Sequence, residues 1–260
     1  MSKTYIITNT KGGTGKTTTA LHILPIKAYL ENKKEIVYFQ LDDNNKIDIS
    51  SNAVTIKNYT IKKTDNVIDK IELDVNLNSD VVNIVDIGGG NDTREVLHYL
   101  RSDKNNFGTD IEFFIPINSN LSQQKNIKDT IELIKQNFGK ANITLILNGV
   151  MDIEEYKKEF INIFGDDVYG IAPMIDYIKE NCQDIKIIKR DNIFQVMEYN
   201  NITLLDGYID AIEINSKIKE LKRQYALEYK EDEDMEAYYI KKRKLRFAQK
   251  VIDRVDEFNF

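Results

Sequence analysis

Thr10-Lys11-Gly12-Gly13-Thr14-Gly15-Lys16-Thr17-Thr18 is the stretch that decides how this chain is read. Just before it stands the short apolar run Tyr5-Ile6-Ile7, and after it Ala20, Leu21, Leu24 and Ala28 recur at helical spacing. The pattern predicts a strand, a glycine-rich loop and a helix. In that order, backbone N–H groups and the helix N-terminus can cradle phosphates. Gly12, Gly13 and Gly15 let the backbone approach the phosphates, with Thr14 and Thr18 completing the loop. Lys16 would meet the β and γ oxygens, and the Thr17 hydroxyl would sit on Mg²⁺. A bare glycine turn is the bland alternative.

Working outward, Ile36 to Leu41, Val81 to Asp86, Ile111 to Ile117 and Ile143 to Leu147 are apolar enough to be strands buried on both faces. Helical patterns lie between them at Asn91 to Arg101, at Ser122 to Phe138 with Gly139 as a stop, and at Ile153 to Phe164 stopped by Gly165. Such alternation predicts an α/β fold, a mostly parallel twisted sheet flanked by helices. Pro25 should kink the first helix or end it early. Val54, Ile56, Tyr59 and Ile61, within Lys46 to Lys63, suggest a hairpin or edge strands inserted after the second strand. From Ile209 onward the chain reads as helix, so a P-loop domain over 1–208 and a helical C-terminal extension over 209–260 are expected. Its charge is sorted into an acidic block (Glu228, Glu231, Asp232, Glu233, Asp234, Glu236) and a basic one (Lys241, Lys242, Arg243, Lys244, Arg246, Lys250). Leu245, Ala248, Ile252 and Val255 form one stripe, which should dock on the domain or on a partner.

With 260 residues the chain can bury a substantial core. Its formal net charge of −6 argues against a protein that coats nucleic acid with its whole surface, while leaving room for a local basic patch. The single cysteine, Cys182, can form neither an internal disulfide nor a multi-thiolate metal site, and reads as core. The N-terminal residues lack the apolar segment of a signal peptide, and no apolar run approaches the ~20 residues that cross a bilayer, so a cytoplasmic protein is expected. His22 and His98 have no paired ligand spacing beside them and read as structural.

Val81-Val82-Asn83-Ile84-Val85-Asp86 is an apolar strand ending in an acid, as the Walker B role requires for a carboxylate near Mg²⁺. The strict Walker A pattern fails at its first position, which is Thr10, and a second lysine, Lys11, precedes the glycine pair. A Lys-Gly-Gly-x-Gly-Lys-Thr-Thr loop resembles that of the ParA/MinD family of deviant Walker A ATPases, and the resemblance in spacing extends through about residue 175. The resemblance implies ATP and Mg²⁺ as ligands and a homodimer in the ATP state, in which Lys11 reaches the nucleotide of the partner subunit. A triphosphate buried between two subunits needs ionic donors from both sides. Where the family shows Asp-x-Asp-Pro, this chain has Gln40-Leu41-Asp42-Asp43. By similarity Asp42 positions the attacking water and helps hold the Mg²⁺ hydration shell. Asp43 reads as a loop charge or helix cap. Asp86 is followed by Ile87-Gly88-Gly89-Gly90, and these glycines should leave N–H groups free to sense the γ-phosphate. Asn148 stands where relatives place an Asn against the adenine edge, and Gly170-Ile171-Ala172-Pro173 resembles the later loop near the base.

The family implies a positioning ATPase whose ATP dimer binds DNA non-specifically and is released when a centromere-binding or other adaptor protein stimulates hydrolysis, as in plasmid segregation. On that reading the basic tail block, Lys186, Lys189 and Arg190 are candidate phosphate contacts. No helix-turn-helix precedes the first strand, which argues against promoter autoregulation and resembles the short ParA-like class, a class that also serves conjugative transfer. A MinD-like membrane cycle would need the tail helix as its anchor, yet Asp253, Asp256 and Glu257 would oppose anionic lipid. A dethiobiotin-synthetase-like ligase is a metabolic alternative. A nitrogenase-reductase-like protein is excluded, since Cys182 alone cannot hold a cluster.

Overall fold

The computed structural model describes residues 3–33, 35–42, 47–59, 69, 80–102, 110–229, 235–258 and 260. Seven strands form one sheet: β1 (Lys3–Ile7), β2 (Glu35–Leu41), β3 (Thr55–Tyr59), β4 (Val81–Ile87), β5 (Asp110–Ile117), β6 (Asn142–Val150) and β7 (Asp184–Lys189). Their order is β3-β2-β4-β1-β5-β6-β7, and every pairing is parallel. The chain leaves β1 toward one side of the sheet and returns to the other side between β4 and β5, so β1 marks the switch point. In open parallel sheets, ligand crevices form outside the carboxyl ends of the strands at that point.

Strand side chains alternate between two cores, because successive residues of a strand face opposite sides. Ile6, Val37, Phe39, Val85, Phe113 and Leu145 pack with the helices Asn91–Ser102 and Ile127–Phe138. Tyr5, Ile7, Tyr38, Ile84, Phe114 and Ile146 pack on the other face with the first helix and the helices Ile193–Tyr199, Leu204–Ser216 and Met235–Asp256. The last helix buries Leu245, Ala248, Val251 and Val255, so its apolar stripe is spent on the domain itself. Val251 rather than Ile252 is the more deeply buried member of that stripe. The boundary expected between 208 and 209 falls inside the helix Leu204–Ser216.

Several local expectations are corrected. Pro25 does not end the first helix early, though the helix is irregular just before it: Lys16–Thr18 runs into a π-turn over Thr19–Ile23 and continues as Leu24–Leu30. A proline supplies no N–H to an intrahelical bond, and the wider turn just before it accommodates that loss. The pattern Ser122 to Phe138 is two helices, Leu121–Lys125 and Ile127–Phe138, divided at Asn126, whose side chain donates to Thr10 Oγ1. Ile153 to Phe164 is likewise two short turns, Tyr156–Glu159 and Ile161–Phe164. Gly139 (φ 65°) and Gly165 (φ 83°) do stop their helices. Within Lys46 to Lys63 the described part holds a single edge strand, β3, parallel to β2 and therefore not half of a hairpin. Asp43, Lys46, Ile61 and Glu231 to Asp234 lie outside the described residues.

β7 carries no strand expectation. As an edge strand it is only partly buried, and Asp184, Lys186 and Lys189 break its apolar period.

Candidate nucleotide site

At the carboxyl edge of the sheet, the loop from Gly12 to Thr18 lines a cavity of about 380 Å³ together with Asp42, Asp86, Ile87 and Gly89. Three strand ends converge here, since β1 leads into the loop, β2 ends beside Asp42 and β4 carries Asp86. Gly13 and Gly15 have φ of 69° and 89°, a left-handed geometry that side chains rarely adopt. Lys16 Nζ donates to the Lys11 carbonyl at 3.2 Å, arching over the loop. The Lys11 side chain is exposed, and its backbone N–H donates to Asn9 Oδ1 at 2.9 Å.

The Thr17 hydroxyl donates to Asp86 Oδ2 at 2.8 Å, and the Tyr38 hydroxyl donates to the same oxygen at 3.0 Å. Burial pushes the Asp86 carboxyl up to about 6; the bonds from Thr17 and Tyr38 and the charge of Lys16 pull the other way, and Asp42 adds to the rise. Burial and the adjoining Asp86 carboxylate hold the Tyr38 hydroxyl well above its ordinary range, so it stays a donor. Asp42 is half-buried.

Thr17, Asp42 and Asp86 offer a hydroxyl and two carboxylates to one cavity. That hard-oxygen set fits Mg²⁺, which takes one or two carboxylates and completes its shell with water and phosphate oxygens. Among the described residues no cluster of three or more His, Cys, Asp or Glu could hold a metal ion.

The glycines after Asp86 are more engaged than expected. Gly88 N–H donates to the Leu41 carbonyl at 2.8 Å and Gly90 N–H to the Thr10 carbonyl at 3.1 Å, tying this loop to β2 and to the phosphate loop. Gly89 sits closest, for a β-carbon there would lie 3.4 Å from Gly12 N and 3.5 Å from Lys16 Nζ.

Amide side chains that sequence reasoning did not single out hold the loop from the other side. Asn118 Nδ2 donates to the Gly13 carbonyl at 2.9 Å, and Gln123 Nε2 to the Gly12 carbonyl at 3.1 Å. Both follow β5, the strand beside β1. The one available signal was the polar run Asn118 to Gln124, set directly after an apolar strand on the edge where the loop lies.

Asn148 sits at a register shift of β6, next to Gly149 with φ 74°. A bulge re-aims side chains, and here the Asn148 amide meets the loop, donating to the Thr14 carbonyl at 3.3 Å. Pro173 is exposed, packs near Gly165 and is not part of the cavity wall.

The remaining candidates lie elsewhere. Buried His22 accepts the Leu204 N–H at 3.1 Å through Nδ1, helping to cap the helix Leu204–Ser216, and His98 is exposed beside Tyr99. Cys182 is buried and its thiol is pushed up to about 11 by burial, as suits a core residue. Lys186 pairs with Asp184 at 3.0 Å, Lys241 with Glu228 at 2.7 Å and Lys250 with Asp191 at 2.8 Å. The Lys189 carbonyl accepts from the buried Arg254 guanidinium.

Among the described residues no helix is long and apolar enough to cross a membrane. No curated protein matches the chain. Among solved structures, the chain is similar to the septum site-determining protein MinD complexed with Mg-ADP from Pyrococcus horikoshii OT3, at 16% identity and a TM-score of 0.44, covering 78% of this chain and 87% of that one. It is similar to apo McdA of Cyanthece at 14% identity and a TM-score of 0.46, covering 81% and 95%. A putative plasmid partition protein of Borrelia burgdorferi B31 bound to AMPPNP is similar at 13% identity and a TM-score of 0.46, covering 78% and 91%. The model of the CobQ/CobB/MinD/ParA nucleotide binding domain matches residues 5–224. With a phosphate loop at the switch point of an all-parallel sheet and most of its length matched, this chain belongs to the CobQ/CobB/MinD/ParA family of P-loop nucleotide-binding proteins.

Proposed function

We propose that the chain is an ATPase of the ParA type that dimerises on ATP, binds DNA non-specifically in that state and is released when an adaptor protein stimulates hydrolysis, with plasmid or DNA segregation as its task. The observation that carries this reading is the cavity in which Lys16, Thr17, Asp42 and Asp86 converge on the glycine loop. Lys16 and the loop N–H groups would bind the β- and γ-phosphates, and Thr17 and Asp86, with Asp42, would hold Mg²⁺. When bound, the cation supplies charge neutralisation at the phosphate oxygens. Asp42 would orient the attacking water. Asn148 is assigned to the adenine edge and Pro173 to the loop near the base.

Two features of the surface support the switch. Lys11 is exposed with only its backbone engaged among the described residues, which supports reading its ammonium as the group that would serve a second subunit. On the last helix, Lys242 and Arg246 join Lys222, Tyr225 and Tyr238 around a cleft of about 530 Å³ whose wall has no carboxylate among the described residues. Cations with aromatic faces between them suit a nucleic-acid backbone. A lipid anchor is disfavoured, because the apolar stripe of that helix is buried on the domain.

Co-sedimentation with DNA and with liposomes, each with ATP, ADP or no nucleotide at two salt concentrations, tests the proposal. DNA pelleting with ATP alone, weakened at high salt, is the expected result. Lipid pelleting with ATP alone would replace it with a membrane cycle, and binding to neither would favour a metabolic ligase.

A further inference from the structure

Asp86 is held by two hydroxyl groups in very different settings. Thr17 is exposed in the first helical turn, Lys16–Thr18, directly after the glycine loop, whereas Tyr38 lies within β2, is fully buried and is anchored by parallel pairing to the neighbouring β4. Registers place Tyr38 opposite Ile84 and Gln40 opposite Asp86, so the tyrosine sits two residues upstream of the acid's partner and reaches along the strand to it. Both hydroxyls bond Oδ2, which leaves Oδ1 of Asp86 without a hydrogen bond among the described residues. The ring of Tyr38 packs in the same core as Ile36, Val82 and Ile84 and has no space in which to swing away.

We infer that Tyr38 is a positioning residue for the metal-side carboxylate: its strand-borne hydroxyl fixes the rotamer of Asp86 and keeps one oxygen directed for the cation once the Thr17 hydroxyl is drawn to it. The inference rests on the reading of Asp86 as a Mg²⁺-side group. A buried donor on the neighbouring strand can do this where the Thr17 hydroxyl cannot, since a group that itself binds the cation is no longer available to orient the carboxylate. Groups that orient metal-side ligands in this way typically alter metal affinity by about 10- to 100-fold when removed.

Tyr38→Phe removes the hydroxyl and keeps the ring that fills the core, so the fold is retained. Binding of a fluorescent ADP analogue is followed in excess EDTA and then across a Mg²⁺ titration, alongside thermal unfolding. The expected result is an unchanged affinity in EDTA and a half-saturating Mg²⁺ concentration raised about tenfold or more. A Tyr38→Phe protein that titrates with Mg²⁺ like the wild type, whether or not its unfolding temperature falls, overturns the assignment and leaves Tyr38 a core residue. A wild type whose ADP binding ignores Mg²⁺ overturns the underlying metal-side reading as well, which separates the two failures.

Discussion

Asn148 Nδ2 occupies the space that a β-carbon on Gly15 would need, 1.8 Å from its ideal position, while donating to the Thr14 carbonyl at 3.3 Å. Position 15 is thus closed to side chains twice over, by its φ of 89° and by an amide delivered from β6.

Gly15→Ala is therefore expected to destabilise the protein by about 1–3 kcal/mol. Adding Asn148→Ala removes the clash but not the left-handed strain, so the double variant should recover part of the loss, with a coupling of about 0.5–3 kcal/mol in urea unfolding. Simple additivity of the two variants would count against the contact.

Asp86 gives a pH signature. Its folded carboxyl, near 6, lies above the ordinary value of 3.8. The native state then holds the proton more tightly than the unfolded chain, so stability falls as pH rises from about 4 to 6 and the full cost is present above that window. In EDTA without nucleotide, Asp86→Asn should raise stability by about 1–3 kcal/mol at pH 7.5 and by little at pH 4. An equal effect at both pH values in denaturant titrations would contradict this origin.

Lys16→Ala should weaken ATP binding by about 100-fold or more, since the lysine supplies a charge-assisted bond to phosphate. Calorimetry reads this directly, and an unchanged affinity would remove the site assignment.

Asp42→Ala should retain ATP and lose at least about 100-fold in hydrolysis, the scale of a positioned acid–base group. Phosphate release measured beside nucleotide binding separates the two effects; wild-type turnover would refute the water-orienting role.

Lys11→Ala with ATP is expected to remain monomeric in light scattering. Persistence of an ATP-dependent dimer would show that the exposed lysine serves its own loop or solvent.

Central features were legible in the chain because they are local. Strands β1, β2, β4, β5 and β6 are apolar runs buried on both faces, so composition alone marks them. β7 was not, because an edge strand with Lys186 and Lys189 carries too little apolar period to stand out. For β3 the sequence leaves a hairpin and edge strands both open, and the structure holds an edge strand, since a short run of Thr55 to Tyr59 says nothing about which neighbour it joins or in which direction. The tail lysines read as an open basic face, whereas Lys241 and Lys250 find carboxylates at Glu228 and Asp191, the second 59 residues away.

What the amino-acid sequence determined alone was the glycine loop with its lysine and threonine, set between a strand and a helix, and the acid near the end of β4, because backbone conformation and strand burial depend on residues a few positions apart. What only the tertiary structure decided was how these parts are held. Tyr38 meets Asp86 across 48 residues, Gln123 meets Gly12 across 111 and Asn148 meets Thr14 across 134. Such contacts leave no periodic trace in a chain; they arise only when parallel strands bring their carboxyl ends to one edge.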